Sequence, residues 1–285
     1  MSGLLAITPA RDEEKLLPGL IASMAAQTCL PERWIVIDDG SADATGEILD
    51  DAASRYAWLE PHHLPGNRAR AAGGESVIMQ FLPRKEWGKW NYLLRLDADL
   101  TFAPDFIESL LAEFRRDAKL GIAGSILLEP DGAQWREINV PSFHVRGAVK
   151  MYSGRCFAAI GGLEAGLGWD TIDELHAMML GFHSRHFGHI RAYHHRPQGT
   201  AASLWRARLA AGRAAYRSGY STLFMLVRAT RHLLTTPWLL GSAMMLAGYF
   251  EGYLKRWPRP TPPELIRFVR RQQLRRLLML ETVWR

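Results

Sequence analysis

Short apolar runs in the first half of the chain alternate with amphipathic helical patterns. Residues 4–7 and 34–37 are uniformly apolar, which is typical of short buried strands, and apolar positions then recur at helical spacing in residues 12–24. Strands that alternate with helices are joined by right-handed crossovers and form a parallel sheet. The pattern therefore predicts an α/β fold with a mainly parallel central sheet.

Polar side chains follow three of the predicted strands at the point where each strand ends. They are Thr8-Pro9, Asp38-Asp39 and Asp97-Ala98-Asp99. In a parallel sheet, ligands bind at the carboxyl ends of the strands, and residues i and i+2 of a strand project to the same side. Carboxylate oxygens are the ligands that Mg²⁺ and Mn²⁺ prefer. Asp97 and Asp99 are therefore predicted to bind Mg²⁺ or Mn²⁺.

Two further segments carry groups that suit an anionic or hydroxylated substrate. Residues 65–74 are rich in glycine and contain Arg68 and Arg70, so this segment either binds a phosphate or is an ordinary solvated loop. Asp170, Asp173 and Glu174 follow Trp169 in a second Gly-rich region. These acids either supply a general base and substrate hydroxyl contacts, or stabilise the N-terminus of a helix through its dipole.

A third candidate position lies at the end of a possible strand over residues 190–193. His194, His195 and Arg196 follow it and are expected at the same edge of the sheet, where we take His195 as a candidate metal or pyrophosphate ligand. Most of the other histidines are expected to be surface or packing residues. The two cysteines, Cys29 and Cys156, have no zinc spacing and agree with a reducing compartment.

The charge is distributed unevenly along the chain. Residues 1–199 carry 20 Lys/Arg and 26 Asp/Glu, whereas residues 200–285 carry 15 and 3. A basic C-terminal region suggests an anionic partner, which is either a nucleic acid or the cytoplasmic leaflet of a membrane. We disfavour nucleic acid, because the aromatic residues there lie in apolar runs and do not alternate with the arginines.

The C-terminal region also contains an apolar segment. Residues 233–250 carry no charged side chain, but 18 positions are borderline for a bilayer span, which needs about 20 apolar residues. An interfacial or re-entrant helical hairpin is the better interpretation. A last amphipathic helix over residues 265–276 is rich in arginine and suits anionic headgroups. We therefore predict a domain over residues 1–200 and a helical, membrane-associating region over residues 201–285.

The combination of these motifs resembles the family 2 glycosyltransferases of the GT-A fold, which are inverting enzymes that use nucleotide-diphosphate sugars. The resemblance rests on the opening Ile7-Thr8-Pro9-Ala10-Arg11-Asp12-Glu13, the turn Val36-Ile37-Asp38-Asp39-Gly40-Ser41 and the triplet Asp97-Ala98-Asp99. The segments 169–174 and 195–197 and the C-terminal tail are similar to a bacterial subgroup that assembles surface polysaccharides.

The resemblance implies a role for each candidate residue. The nucleotide is expected near Thr8, Pro9, Ala10, Arg11, Glu13 and Asp39. Asp97 and Asp99 would hold Mg²⁺ or Mn²⁺ against the diphosphate, with Asp99 as the more direct ligand, and Arg70 or Arg68 would approach the donor. The family's general base is the Asp of a Glu-Asp pair. This pair corresponds to Ile172-Asp173, so Asp173 is the expected base, with Asp170 and Glu174 as alternatives.

The sequence thus predicts an enzyme that transfers a sugar to a polyprenyl-linked saccharide at the cytoplasmic face of the inner membrane, where it is held peripherally or in the interface. An alternative is a polyprenyl-phosphate glycosyl synthase, whose acceptor is the lipid phosphate and needs no base. A second alternative is a non-catalytic carbohydrate-binding or scaffold protein on the same fold.

Overall fold

A computed structural model describes residues 3–66, 74–196, 201–231 and 238–284. It divides into two compact units. The first unit comprises Met1–Leu163 and Leu180–Pro197, and the second comprises Glu164–Met179 and Gln198–Arg285. The predicted boundary at residue 200 lies close to the second junction. The segment Glu164–Met179, which the prediction assigns to the first domain, groups with the C-terminal residues.

The first unit is built on one sheet. Its strands are β1 (Leu4–Ala10), β2 (Arg33–Asp38), β3 (Leu59–His63), β4 (Tyr92–Leu96), β5 (Leu100–Phe102), β6 (Leu120–Asp131), β7 (Gln134–Glu137), β8 (Val149–Ser153) and β9 (His183–His194). In the described residues the strand order is β3-β2-β1-β4-β8-β6-β9-β5, and β7 pairs with β6.

Helices flank this sheet and make up most of the second unit. The helices of the first unit are α1 (Leu17–Ala25), α2 (Thr45–Arg55), α3 (Gly74–Phe81), α4 (Phe106–Arg116) and α5 (Gly154–Ile160). The helices of the second unit are α6 (Trp169–Met179), α7 (Ala201–Arg217), α8 (Thr222–Arg231), α9 (Trp238–Leu254) and α10 (Pro263–Leu277).

The sheet is mixed, so the prediction of a mainly parallel sheet is wrong for its second half. β1 pairs in parallel with β2 and β4, and β2 with β3, as the strand and helix pattern predicts. Beyond β4, however, β8 is antiparallel to both β4 and β6. The reason is that β6 is followed by the short partner strand β7 and not by a crossover helix, so the chain re-enters the sheet in the opposite direction.

The amphipathic patterns of the sequence account for the core of the first unit. In α4, Glu108 lies in the first turn and Arg115 and Arg116 in the last, where they complement the helix dipole. The apolar face of α4 buries Leu110 and its apolar neighbours against the side chains of the central strands. Burial of this face stabilises the unit by about 25 cal/mol per Å² of apolar surface removed from water.

The second unit has small apolar clusters of its own. One cluster joins Ala215 and Tyr216 of α7 to Met245 and Tyr249 of α9. Another joins Ile172 and Leu175 of α6 to Leu265 and Val269 of α10. Within the described ranges, none of the helices combines the length and the apolar character that a bilayer span requires. Residues 232–237, in which the predicted apolar segment begins, lie outside the described residues.

Candidate active site

The Asp97-Ala98-Asp99 triplet lies directly after β4, at the carboxyl end of that strand. The Asp97 amide donates to the Ala148 carbonyl oxygen at 2.9 Å, and the Asp99 carbonyl oxygen accepts from the His195 amide at 2.9 Å. The backbone of the triplet is therefore held on one side by the residue before β8 and on the other by the residue after β9.

Asp97, Asp99 and His194 form a cluster that could bind a cation. One ligand atom from each residue lies within 4.8 Å of the other two. The Nε2 atom of His194 is 3.3 Å from Oδ1 of Asp99. Oδ1 is buried and has no hydrogen-bond partner in the described part of the chain. A buried carboxylate oxygen without a hydrogen bond is costly unless a cation completes its contacts, so the donor set fits a divalent metal ion.

The histidine of this cluster is His194, whereas His195, the candidate ligand of the sequence analysis, is not among its three residues. Consecutive residues of a strand project to opposite faces of the sheet, and β9 continues this alternation to its end. The His195 ring therefore faces away from the carboxylates. Its Nε2 atom lies 2.8 Å from Oγ1 of Thr101, and its ring packs edge-on against Trp135.

A further carboxylate, that of Glu129, lies next to the ring nitrogen of His194 that does not face Asp99. The His194 Nδ1 atom is 3.4 Å from Glu129 Oε1, so the imidazole lies between two acids. Burial lowers the pKa of His194, but its interactions with the carboxylates of Asp99, Asp97 and Glu129 outweigh this effect and raise it. Burial likewise raises the pKa of Asp99, but His194 and Arg196 outweigh it and hold that pKa below its usual value.

Arg196 connects this cluster to the first strand of the sheet. Its Nη2 atom is 2.6 Å from Glu13 Oε2, and its Nε atom is 3.9 Å from Asp99 Oδ2. Burial raises the pKa of Glu13 to about 6; the charges of Asp99 and Asp97 add to the rise, and Arg196 opposes it. The structure thus brings the predicted nucleotide residue Glu13 next to the predicted metal ligands.

A buried arginine contacts the other carboxylate of the triplet. Nη1 of Arg95 is 2.7 Å from Oδ1 of Asp97, and its Nη2 atom is 3.4 Å from Oε1 of Glu75 in α3. Our sequence analysis assigned no role to Arg95 or Glu129, and it placed His194 and Arg196 at this edge of the sheet without choosing either as the ligand. The sequence signal for Arg95 is a charged residue inside an otherwise apolar strand, two positions before Asp97.

The remaining predicted nucleotide residues lie at the carboxyl ends of β1 and β2. We expected Thr8, Pro9 and Ala10 to follow the first strand, but all three belong to it, because β1 continues to Ala10. Thr8 is fully buried, and its hydroxyl oxygen accepts a hydrogen bond from Trp34 Nε1 at 3.0 Å.

Next to this strand end, Arg11 and Asp39 approach each other. The Arg11 Nη1 atom lies 3.7 Å from Asp39 Oδ2, and the Asp39 amide donates to the Ala10 carbonyl oxygen at 2.8 Å. A charged pair at a strand end is well placed to bind the polar parts of a nucleotide. Arg68 and Arg70, predicted to approach the donor phosphates, lie outside the described residues.

The predicted base and its alternatives belong to α6 in the second unit. Asp170 lies in the first turn of the helix. Asp173 and Glu174 are almost completely buried, and the Glu174 amide donates to Asp173 Oδ1 at 2.6 Å. These two carboxylates therefore lie inside the second unit, beyond the first turn of the helix in which its dipole acts.

Comparison with known proteins identifies the class to which this site belongs. Residues 5–144, just under half of the chain, match the family model described as Glycosyl transferase family 2. The matched residues include β1, β2, β4 and the Asp97-Ala98-Asp99 triplet. The first unit thus contains a segment that is similar to the family 2 glycosyltransferases.

One curated relative and two solved structures extend this comparison. The polyprenol monophosphomannose synthase of Mycolicibacterium smegmatis is 31% identical over 121 residues, which are 41% of this chain and 43% of the relative. The match thus spans less than half of the relative's length. The mannosyltransferase PcManGT from Pyrobaculum calidifontis, solved in complex with GDP-Man and Mn²⁺, has a TM-score of 0.58 at 14% identity, covering 88% of this chain and 75% of that chain.

The second structure is residues 1–349 of S. aureus TarS in complex with UDP-GlcNAc. It has a TM-score of 0.55 at 14% identity, and the match covers 88% of this chain and 72% of that chain. At this identity both likenesses are evidence for the fold alone. The architecture is an α/β GT-A-like fold with a mixed sheet.

Proposed function

We propose that this protein is a metal-dependent, inverting glycosyltransferase that moves a sugar from a nucleotide-diphosphate donor to a polyprenyl-linked saccharide. The observation that carries the proposal is the cluster of Asp97, Asp99 and His194 at the carboxyl end of β4, in which both aspartates lie within the segment that matches the family 2 model. A divalent cation held there would stabilise the negative charge of the leaving diphosphate as a Lewis acid.

The protein's own residues would bind the donor and activate the acceptor. Arg11 and Asp39 offer charged groups for the nucleotide, and Glu13 and Arg196 lie beside Asp99. We assign Asp173 as the general base, with Asp170 and Glu174 as alternatives. Its carboxylate would take the proton from the acceptor hydroxyl while the hydroxyl oxygen attacks the anomeric carbon. The bond from that carbon to the diphosphate oxygen breaks, and its electron pair leaves with the diphosphate.

The ligand set favours Mn²⁺ over Mg²⁺ as the cation. Both ions accept carboxylate oxygens, but Mg²⁺ rarely takes a nitrogen ligand, whereas an imidazole suits transition metals. The PcManGT structure contains GDP-Man and Mn²⁺, and a TarS structure contains UDP-GlcNAc, so GDP- and UDP-sugars are the first donors to test.

The surface of the second unit supports a lipid-borne acceptor. Exposed apolar side chains include Leu223 of α8, Leu239 and Leu254 of α9, and Met279 after α10. The exposed face of α10 carries arginines such as Arg267 and Arg271. Exposed apolar side chains beside basic ones suit the interface of an anionic membrane. We therefore propose a peripheral location at the cytoplasmic face of the inner membrane and a role in surface polysaccharide assembly.

A polyprenyl-phosphate glycosyl synthase is a second candidate function, which the 31% identity to a polyprenol monophosphomannose synthase favours. In that reaction the lipid phosphate is the nucleophile and is already ionised, so Asp173 would not be needed as a base. Product analysis with a polyprenyl phosphate and with a polyprenyl-linked saccharide, each offered with the same donor, separates the two functions.

A thermal-shift screen tests the proposed function. The purified protein is melted with UDP-, GDP- and dTDP-sugars, each with and without Mn²⁺. We expect one nucleotide class to raise the melting temperature only when Mn²⁺ is present, because a ligand that binds the folded state alone stabilises it by mass action. No response to any donor, with or without the metal, would contradict the proposal.

A further inference from the structure

Arg95 is a buried cation in the central part of the sheet. It lies in β4, where its neighbours Leu93, Leu94 and Leu96 are fully buried, and its own side chain is only 6% exposed. A guanidinium group remains protonated in such a place, so it needs partners of opposite charge to compensate for its lost hydration.

Two carboxylates supply this compensation from opposite ends of the guanidinium group. Nη1 is 2.7 Å from Asp97 Oδ1 and also donates to the Gly147 carbonyl oxygen, while Nη2 is 3.4 Å from Glu75 Oε1. The Glu75 side chain is 5% exposed, whereas that of Asp97 is 32% exposed. The contacts from Glu75 through Arg95 to Asp97 thus lead from the protein interior to the cluster of Asp97, Asp99 and His194.

This arrangement has two consequences for Asp97. The short contact fixes the orientation of its carboxylate, since Arg95 is itself held by Glu75 and by the Gly147 carbonyl oxygen. It also compensates part of the negative charge that Asp97 offers to a cation. Partners behind a metal ligand typically change metal affinity by about 10- to 100-fold, so both effects are large enough to measure.

We propose that Arg95 is a positioning residue that orients Asp97 and weakens its attraction for a free cation, so that the metal binds firmly only together with the nucleotide diphosphate. Asp99 and His194 then carry the direct binding, and the diphosphate supplies the remaining oxygen ligands. Glu75 sets the strength of the effect, because it shares the charge of Arg95 with Asp97. This inference rests on the proposed function of the same site.

The test measures Mn²⁺ affinity by calorimetry on the full chain, first without nucleotide and then with the nucleotide that the thermal-shift screen identifies. In Arg95→Met we expect the affinity without nucleotide to rise about tenfold, because Asp97 regains its full charge. In Glu75→Gln we expect it to fall, because Arg95 then no longer shares its charge between Glu75 and Asp97. These opposite directions are not expected from a general loss of structure, which would weaken binding in both variants.

Kinetics supplies a second readout. The turnover number of Arg95→Met should fall at saturating Mn²⁺, because the Asp97 carboxylate is no longer fixed in orientation. Arg95→Lys keeps the charge but loses the two-pronged geometry of the guanidinium group. We therefore expect its Mn²⁺ affinity to stay near that of the wild type while its turnover number falls.

Two further variants control for folding and for charge. Arg95→Met removes a charged partner from the buried carboxylate of Glu75 and can fail to fold, so the double variant Arg95→Met/Glu75→Gln, which removes both buried charges, repeats the test with the same expected rise. Arg33→Met removes an arginine from β2, which β1 separates from β4 in the sheet, and should leave Mn²⁺ affinity unchanged; Arg33 pairs with Glu60 at 2.7 Å.

The inference is overturned if folded Arg95→Met or the double variant binds free Mn²⁺ no more tightly than the wild type, or if Glu75→Gln binds it more tightly. Failure of the proposed function gives a different result, since the wild-type protein would then bind no Mn²⁺ even with nucleotide present.

Discussion

Two adjacent histidines at the end of β9 differ in what they contact, and this difference decides which of them can bind a metal. His194 is buried between Asp99 and Glu129, whereas His195 contacts Thr101 and Trp135. The two positions are matched for mutagenesis, because each substitution removes one imidazole and the two residues are adjacent in the chain.

We expect His194→Ala to weaken Mn²⁺ binding in the presence of nucleotide by at least about tenfold, since it removes one of three protein ligands. His195→Ala should leave this affinity within a factor of about two, because its ring faces away from the carboxylates. Calorimetric titration of both variants at the same nucleotide concentration checks the prediction. Equal losses in the two variants would contradict it.

Asp173 is the residue on which the proposed acid–base chemistry depends. Asp173→Asn should lower the turnover number by about 10²- to 10⁴-fold, because a hydroxyl is a poor nucleophile until a carboxylate takes its proton. The affinity for the donor should stay near the wild-type value, because the donor residues are unchanged. Steady-state kinetics and calorimetry measure the two quantities, and Asp170→Asn and Glu174→Gln test the alternatives.

The individual residues of the site differ in how far the sequence predicts them. Asp97 and Asp99 are visible as a motif because both carboxylates follow one apolar run. His194 is not, because it is one of three polar residues in a row, and only the pairing of β9 with β5 shows which of them faces the carboxylates. Arg95 is recognisable in the sequence as a charged residue among leucines. Its pairing with Glu75 is not recognisable, because Glu75 belongs to a separate helix.

The turn after β2 is stabilised by a histidine between two acids. The His63 Nδ1 atom is 3.2 Å from Asp38 Oδ2, and its Nε2 atom is 3.0 Å from Asp50 Oδ1 of α2. Burial lowers the pKa of His63, but these hydrogen bonds and charges outweigh it and raise the pKa above 6.5. The interaction therefore links the ends of β2 and β3 to α2.

An interaction that raises the pKa of a histidine stabilises the fold only while that histidine is charged. The contribution is fully present below the unfolded-state pKa and is lost as the pH rises through the folded-state pKa. We expect the melting temperature of His63→Gln to fall below that of the wild type at about pH 5.5, and the difference to shrink by about pH 9. A difference that does not change with pH would contradict this account.

Helices α7 and α9 of the second unit approach each other closely at two glycines. A Cβ atom on Gly248 would overlap the Leu209 carbonyl oxygen, and one on Gly212 would overlap the Met245 carbonyl oxygen. The obstructing atoms belong to helical backbone, which cannot move aside as a side chain can. Only glycine therefore permits this approach, although it costs about 1 kcal/mol relative to alanine in a helix.

Gly248→Ala should therefore destabilise the second unit by about 1–3 kcal/mol, despite the higher helix propensity of alanine. Ala247→Leu, at an exposed position of the same helix, is the matched control and should change stability by no more than about 0.5 kcal/mol. Urea denaturation of both variants measures the difference. An increase in stability for Gly248→Ala would show that the helices do not pack in this way.

The strands that the sequence predicts are those whose apolar pattern is clear. The strands expected at 4–7, 34–37 and 190–193 are confirmed as β1, β2 and part of β9, and the strand expected before Asp97 is confirmed as β4. β8 was not predicted, because the buried Lys150 interrupts its apolar pattern, and β3 was not, because it is an edge strand in which only Leu59 is buried. A strand that is stabilised by its neighbours carries little local signal.

Charge is segregated along the chain, since the net charge is −6 over residues 1–199 and +12 over residues 200–285. This division underlies the proposed attachment to an anionic membrane. Each Lys or Arg near such a surface contributes about 1 kcal/mol, and the contribution decreases with salt. The exposed leucines of α8 and α9 would add an apolar contribution that salt does not screen.

The protein should therefore sediment with vesicles that contain anionic lipid and remain in the supernatant with neutral vesicles of the same size. Arg267→Gln/Arg271→Gln on α10 should weaken binding to the anionic vesicles by about tenfold or more. Arg115→Gln/Arg116→Gln on α4 removes the same charge from the first unit and is the matched control. Equal binding to neutral and anionic vesicles would contradict the electrostatic part of the proposal.

The sequence alone was sufficient for the alternation of strands and helices at the start of the first unit, the Asp97-Ala98-Asp99 motif and the uneven charge, because each of these is a local pattern in which neighbouring residues carry the signal. The tertiary structure was needed for the antiparallel entry of β8, for the selection of His194 over His195, and for the chain from Glu75 through Arg95 to Asp97. These features depend on residues far apart in sequence, which strand register and helix packing bring together.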